Sequence, residues 1–139
     1  MNDCVYETPE ASRYILNNKD LLVGPLVEVF SKKQYKKILL VGSGSSYNIA
    51  LISRVAMQNI LDMRVEVMYA AAYAHFDFKY HEDTLTIFLS QSGRSTNIVD
   101  AIKTAIDNKQ DAVAMTMIPD SPSSKYLKNS FTYGTDKFG

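Results

Sequence analysis

The sequence predicts an α/β fold of three layers: a doubly wound, five-stranded parallel sheet with helices on both faces. Three observations carry this. Short apolar runs alternate with amphipathic stretches along the chain. Two runs, residues 38–41 and 85–89, are apolar enough to be buried on both faces, as parallel strands are. Each of these two runs breaks into a Gly/Ser loop and then takes up helical spacing.

The elements follow in order. Thr8-Pro9-Glu10 reads as a helix start, with Thr8 as cap, Pro9 at the first position and Glu10 suited to the dipole. Tyr14, Ile15, Leu21, Leu22, Leu26, Val27 and Phe30 form an apolar stripe. Asn17-Asn18 and Gly24-Pro25 interrupt it, which predicts two helical pieces. Residues 31–36 are a polar connection. Residues 1–36 are therefore an N-terminal helical segment, and residues 37–139 form the sheet domain.

Lys37 to Val41 is the first strand. Gly42-Ser43-Gly44-Ser45-Ser46 is a tight loop, and Ile49, Ile52, Val55, Ala56, Ile60 and Leu61 then recur at helical spacing. Asp62-Met63 makes a turn. Residues 64–69 are a less apolar strand, nearer an edge, and residues 70–76 a short helix. After the loop 78–83, Thr84 to Leu89 is the third strand. Ser90-Gln91-Ser92-Gly93-Arg94-Ser95-Thr96 is the second Gly/Ser loop. A helix over 97–108 follows, with Ile98, Val99, Ile102 and Ile106 on one face. Residues 111–117 are the fourth strand, which makes Met115 and Met117 core residues. Pro119-Asp120-Ser121-Pro122 is a turn, 123–128 one or two helical turns, and 130–133 a short last strand.

Five strands alternating with helices suit the flavodoxin-like order 2-1-3-4-5. That order reverses between the first and third strands, and ligands bind at such a switch point beyond the carboxyl ends of the strands. Both Gly/Ser loops sit there. Each joins a strand end to a helix N-terminus, where free N–H groups and the helix dipole favour an anion. Gly42 and Gly44 let a ligand approach the backbone. Ser43, Ser45, Ser46, Ser92 and Ser95 add hydroxyls, Gln91 can donate and accept, and Arg94 is the obvious cation. The bland alternative is that the serines, Ser95 and Thr96 included, only cap helices.

Composition excludes several classes. The chain has 139 residues, 46% hydrophobic and 22% charged, with 15 basic and 15 acidic residues. A nucleic-acid partner would want a basic face, and this balance offers none. No run approaches the roughly 18 apolar residues of a membrane span. The single cysteine, Cys4, excludes an internal disulfide and suits a reducing, cytoplasmic setting. One Cys and two His make a structural zinc site, and a metal generally, unexpected.

Rival motifs fail on their residues. Tyr47 stands where a dinucleotide fingerprint needs its third glycine, and no acid ends the second strand. Neither loop is Gly-x-Ser-x-Gly or Gly-Lys-Ser/Thr. A flavodoxin-like flavin site fits better, with Tyr73 as the candidate ring flank, although packing is the plainer role for Tyr73 and its aromatic neighbours. His75 and His81, each two residues before an acid, are weak candidates for acid–base work.

The two loops, Ser43-Gly44-Ser45-Ser46-Tyr47-Asn48 and Leu89-Ser90-Gln91-Ser92-Gly93-Arg94-Ser95-Thr96, resemble the phosphosugar-binding signatures of the sugar isomerase (SIS) domain family. The likeness is to the isomerase half of glucosamine-6-phosphate synthases and to fructosamine-6-phosphate deglycases. It runs from Tyr6-Glu7-Thr8-Pro9-Glu10 to the C-terminus and is most specific at Ser-Gln-Ser-Gly. It implies phosphate binding by Ser46, Ser90, Gln91, Ser92 and Ser95, with Gly44, Ser45 and Gly93 shaping the loops. It implies a sugar 6-phosphate ligand, a homodimer, and no metal or organic cofactor.

Two departures stand out. Arg94 and Ser95 replace the family's frequent Glu and Thr, and Ala70-Ala71-Ala72 covers a position where relatives carry an acid. In two-half relatives the catalytic Glu, Lys and His lie in the later half, and the segment 134–139 leads into a further helix. The resemblance therefore implies a first half that keeps the phosphate pocket and lacks the catalytic base. Family members also serve as sugar-phosphate sensors in regulators, which is the alternative role.

Overall fold

The computed structural model describes residues 2–127 and 129–132, with side chains from Val5 onward. The Cys4 side chain, Lys128, Tyr133 and the segment 134–139 lie outside the described residues. Helices α1 (Asn2–Asn17) and α2 (Lys19–Ser31) precede β1 (Lys37–Gly42). There follow α3 (Ser45–Leu61), β2 (Arg64–Tyr69), α4 (Ala70–His75), β3 (Thr84–Leu89), α5 (Thr96–Asp107), β4 (Ala112–Thr116), α6 (Pro122–Tyr126) and β5 (Ser130–Thr132).

The N-terminal segment differs from expectation in two ways. Helix α1 begins at Asn2, so Thr8 does not cap it and Pro9 lies inside it. Helix α2 runs through Gly24-Pro25, and only Asn18 breaks the two apart, its side-chain amide turning back to the Tyr14 carbonyl at 2.8 Å. A proline deprives the carbonyl four residues back of its partner. Those carbonyls belong to Val5 and Leu21, both exposed residues, so solvent can serve them and the helices continue.

All five strands are parallel, in the order β2-β1-β3-β4-β5. Strand β1 lies between β2 and β3. Its alternating side chains feed two cores, as the two-residue period requires. Leu39 and Val41 join Tyr73 of α4, Phe88 of β3 and Ile98, Ala101, Ile102 and Ala105 of α5. Ile38 and Leu40 join Val65, Leu85, Ile87 and Val113, covered by Leu26, Val29 and Phe30 of α2 and by Ala50 and Met57 of α3. Strand β2 is the edge, as its weaker apolar character indicates, and its Glu66 is paired with Lys37 and Arg64.

Helix periodicity located the helices better than it located their buried faces. In α5 the buried face is Ile98, Ala101, Ile102 and Ala105, and Ile106 turns outward. Small alanines let α5 lie close to the sheet, and that close approach selects the face. In α3 only Ala50 is fully buried, while Ile49, Ile52, Val55, Ile60 and Leu61 are exposed. Met115 packs against the core, but Met117 lies beyond the end of β4.

At the amino edge the buried Gln110 amide is fully used. Its nitrogen donates to the carbonyls of His81 and Thr84 at 2.9 Å each, and its oxygen accepts from the His81 N–H at 2.9 Å. This ties down the 78–83 loop. No helix among the described residues is long and apolar enough to cross a membrane.

Tyr73 is the largest fully buried side chain. Its ring packs edge-on against Phe88 and Phe78, with centroids 5.4 and 5.1 Å away. Its hydroxyl, like those of Thr84 and Thr86, is buried with no hydrogen-bond partner of good geometry. Burial pushes the phenol up to about 12, opposed by the nearby Thr86 hydroxyl. The folded state therefore resists ionisation. Stability from this group is intact below pH ~10, the unfolded pKa, and is lost as pH rises through about 12. Tyr73→Phe should leave stability at pH 7 unchanged or raise it by up to ~1 kcal/mol, since an unpaired buried hydroxyl is removed. In urea titrations the variant should also lose less stability than wild type between pH 10 and 12, by an amount of order 2 kcal/mol.

Candidate functional site

The two Gly/Ser loops leave neighbouring strands at the same edge. Gly42 at the end of β1 is in register with Leu89 at the end of β3. Residues 43–46 and 90–95 thus emerge side by side at the carboxyl ends of the strands, where the order 2-1-3-4-5 reverses.

The first loop turns sharply into α3. Gly42 must be small, because a Cβ there would lie 2.9 Å from the Tyr47 nitrogen and 3.0 Å from the Ser46 carbonyl carbon. Gly44 sits at φ 55°, ψ −127°, a conformation open to glycine. Gly44 caps α3 with its backbone, and no side chain makes a cap bond there. Ser46 N–H donates to the Ser43 carbonyl at 3.2 Å and Asn48 N–H to the Gly44 carbonyl at 3.2 Å. The N–H groups of Ser45 and Tyr47 have no acceptor among the described residues. The Ser43 hydroxyl is buried without a partner. Ser45 is exposed and Ser46 half-buried.

The second loop is held from behind by its carbonyls. The Gln91 carbonyl accepts from Met117 N–H at 3.0 Å and from the Thr116 hydroxyl at 3.1 Å. The Gly93 carbonyl accepts from both the N–H and the hydroxyl of Ser123, at 3.0 and 2.8 Å. Ser90 is buried, and its hydroxyl accepts the Gly93 N–H at 3.1 Å, which leaves its own proton free to donate. Gly93 is in the left-handed region at φ 63°, and a Cβ there would lie 2.2 Å from Ser121 Oγ. With the carbonyls engaged, the N–H groups of Gln91 and Ser92 have no acceptor among the described residues. The Ser92 hydroxyl accepts the Arg94 N–H at a long 3.3 Å. Ser95 is the N-cap residue of α5, but its side chain makes no cap bond. The capping reading of these serines therefore fails at both helices.

A pocket of about 370 Å³ opens beside the second loop, lined by Gln91, Ser92, Arg94, Met117 and Ile118. It lies toward β4, and Ser45 and Ser46 stand on the other side of the loop, off its wall. The structure thus unites Gln91, Ser92 and Arg94 in one pocket and sets Gly44, Ser45, Ser46, Ser90, Gly93 and Ser95 along the same edge. Arg94 is exposed and has no ion pair among the described residues, so its charge is available to a ligand.

Other candidates are displaced. His81 lies at the amino edge, held by Gln110, away from both loops. His75 lies in the last turn of α4, stacked edge-on with Phe76. Tyr73 is core and cannot flank a ligand ring. Tyr69 and Phe76, expected to pack, are exposed, and Tyr69 meets Tyr47 edge-on at 5.0 Å. Among the described residues no three His, Cys, Asp or Glu side chains cluster as a metal site would require. Sequence reasoning missed Met117 and Ile118 as pocket walls and Thr116 and Ser123 as the clamp. The only signal was a dense run of hydroxyls and prolines over 119–124, which reads equally as a turn.

Comparison with known proteins agrees with this fold. The SIS domain family matches residues 33–135. The chain is 28% identical over 132 residues to a glutamine–fructose-6-phosphate aminotransferase (isomerizing) of Wigglesworthia glossinidia brevipalpis, covering 91% of this chain and 21% of that protein. A structure from Clostridium difficile 630, provisionally named a phosphosugar isomerase, matches with TM-score 0.78 and 29% identity over 98% of this chain and 38% of that one. Tagatose-6-phosphate ketose/aldose isomerase from Escherichia coli matches in fold, with TM-score 0.81 at 18% identity over 96% of this chain and 39% of that one. The chain spans about a fifth of the length of the curated relatives it matches. A match over residues 33–135, on a five-stranded sheet whose two Gly/Ser loops share one edge, means that this chain belongs to the SIS domain family.

Proposed function

We propose that this chain is the phosphosugar-binding domain of a sugar-phosphate isomerase or a fructosamine-6-phosphate deglycase, taking a sugar 6-phosphate at its carboxyl edge. The observation that carries the reading is the set of uncommitted donors on the two registered loops. Unpaired N–H groups at Gln91, Ser92, Ser45 and Tyr47 stand beside serine hydroxyls that cap no helix. Such donors suit a phosphate, whose oxygens accept only.

In this scheme Ser90, Gln91, Ser92 and Ser95 hold the phosphate with Ser46, and Gly44, Ser45 and Gly93 set the backbone. The Thr116 and Ser123 bonds keep the second loop from relaxing when no ligand is bound. Arg94, in the pocket wall, is the group available to a second anionic or strongly polar part of the ligand. The whole enzyme would open the sugar ring and move a proton between C1 and C2, which needs a general base beside that bond. We assign that base to a part of the enzyme other than this domain. The proposal takes residues 37–139 as the binding domain and 1–36 as its helical extension, expects pairing with a second copy, and suits a cytoplasmic setting. The flavin alternative loses its ring flank with Tyr73 buried.

The test is thermal unfolding with fructose 6-phosphate or glucosamine 6-phosphate, against inorganic phosphate, fructose and flavin mononucleotide. A sugar phosphate at about 100 times its Kd should stabilise by roughly 2.7 kcal/mol, which reads as several degrees in Tm. Absence of any shift with sugar phosphates, or a shift with flavin mononucleotide alone, overturns the proposal. Ser92→Ala should weaken sugar-phosphate binding by roughly tenfold or more with little change in Tm of the free protein, as expected for an exposed hydroxyl that donates to a charged group. Ser123→Ala should weaken binding while touching no ligand, and titration calorimetry would read both. Gly93→Ala forces a side chain into Ser121 at a left-handed φ, so it should cost about 2–4 kcal/mol of stability and abolish the shift.

A further inference from the structure

The α4 face of the sheet is roofed by helix over only part of β1 and β2. Helix α4 has six residues, about 9 Å of length, and turns back over strands of six residues, about 20 Å long. The rest of the span lies under the segment 76–81, which is not helical. A cavity of about 280 Å³ opens there, reaching Lys37 and His81 at the amino edge, away from the Gly/Ser loops. Leu39 and Met68 form its apolar floor, and Phe76, Asp77, Phe78 and Lys79 its outer wall. That wall is held at both ends. The Asp77 N–H donates to the Ala72 carbonyl at 2.8 Å, and His81 is bonded to the Gln110 amide through its N–H and its carbonyl, at 2.9 Å each. Phe78 is fixed between them, edge-on to the core ring of Tyr73 with centroids 5.1 Å apart. The cavity is therefore formed before any ligand arrives, as small-molecule sites usually are.

The charges around the cavity fall into two sets. Glu66 is committed within the protein: one carboxylate oxygen meets Lys37 at 3.2 Å and the other meets Arg64 at 2.6 Å. Asp77 and Lys79, both exposed, have no ion pair among the described residues. Phe76 beside them is 83% exposed, an aromatic ring with little of its surface covered. One uncommitted carboxylate, one uncommitted ammonium and one uncovered apolar ring thus share a single small cavity.

We infer that this cavity is a second binding site, for a free α-amino acid with an apolar or aromatic side chain. The ligand's side chain lies on Leu39 and Met68, with Phe76 and Phe78 beside it, and covers apolar surface that water now meets. Its ammonium group faces Asp77 and its carboxylate faces Lys79. Charge argues against simpler ligands. An anion would gain Lys79 and meet Asp77 with like charge, and a cation would do the reverse. A zwitterion satisfies both groups. Size argues against larger ligands, because the cavity of about 280 Å³ falls just below the roughly 300–1,000 Å³ of pockets that enclose drug-sized molecules. The inference rests on the α4 face alone and is independent of the sugar-phosphate reading.

Isothermal titration calorimetry of the full chain with L-phenylalanine and L-leucine tests it. Saturable one-to-one binding is expected, with a Kd of roughly 0.1–5 mM, since exposed ion pairs contribute little. 2-Phenylethylamine lacks the carboxylate and 3-phenylpropionate lacks the ammonium, so each should bind more weakly than phenylalanine. Glycine, with no side chain for the floor, should give no measurable binding. Lys79→Glu makes the wall doubly negative. It should weaken phenylalanine binding by roughly tenfold and reverse the preference, so that 2-phenylethylamine binds more tightly than phenylalanine. Asp77→Lys should reverse it the other way, in favour of 3-phenylpropionate. Both residues are exposed, so folding should persist, and thermal unfolding of each variant checks that. No saturable binding of either amino acid up to about 20 mM overturns the inference. So does wild type that binds either single-charge analogue as tightly as phenylalanine, and so does amino-acid binding that both charge reversals leave unchanged. Neither substitution touches the Gly/Ser loops, so fructose 6-phosphate binding by the variants keeps this outcome separate from the fate of the ligand reading.

Discussion

Two strands that are not consecutive in the chain, β1 and β3, end in register at Gly42 and Leu89, and the carboxyl edge is organised by that pairing. A right-handed crossover on each side carries the chain away from this edge and returns it at the other. The result is a pair of helix N-termini, α3 and α5, opening from adjacent strand ends. Local constraints then sharpen the placement. Gly42 lets the start of α3 sit hard against β1, and Gly93 lets the second loop pass within reach of Ser121. The edge is thus preorganised by packing and backbone bonds, with little electrostatics. Its donors are neutral, and among the described residues Arg94 is the cation at its rim.

The architecture was legible because parallel strands buried on both faces leave an unmistakable mark. Residues 38–41 and 85–89 cannot be read as anything that meets water, and the loops after them supply the helix starts. Strand order followed from the doubly wound, flavodoxin-like arrangement that five strands alternating with helices suit. The two loops were legible as an anion site for the same reason: glycine and serine at a strand-to-helix junction have few other uses. The donor state of the loops was not legible. Whether Ser95 caps α5 or faces a ligand depends on a side-chain torsion that spacing does not encode.

What sequence reading misplaced shares a physical cause. Periodicity reports that a helix has an apolar face, not which surface covers it. In α3 the apolar residues are spread around the whole helix, and the sheet takes the side with Ala50 and Met57 because small and flexible side chains allow the closest approach. In α5 the same rule favours Ala101 and Ala105 over Ile106. Prolines misled in a different way. Pro9 and Pro25 read as boundaries, yet both lie within helices, because a carbonyl orphaned on an exposed face has water as an alternative partner. The clamp of Thr116 and Ser123 was invisible because it works through backbone carbonyls of residues distant in sequence.

The position of β1 between two later strands has a consequence for how the chain is made. Its four apolar residues leave the ribosome before either neighbour strand exists, since β2 and β3 both follow it in sequence. Until Arg64–Tyr69 and Thr84–Leu89 are synthesised, β1 has two open edges and two greasy faces. Parallel pairing across helical crossovers is slow to close compared with a hairpin. The nascent chain therefore passes through an interval in which its most aggregation-prone segment is complete and uncovered, and α2, made just before it, supplies native cover for one of its faces.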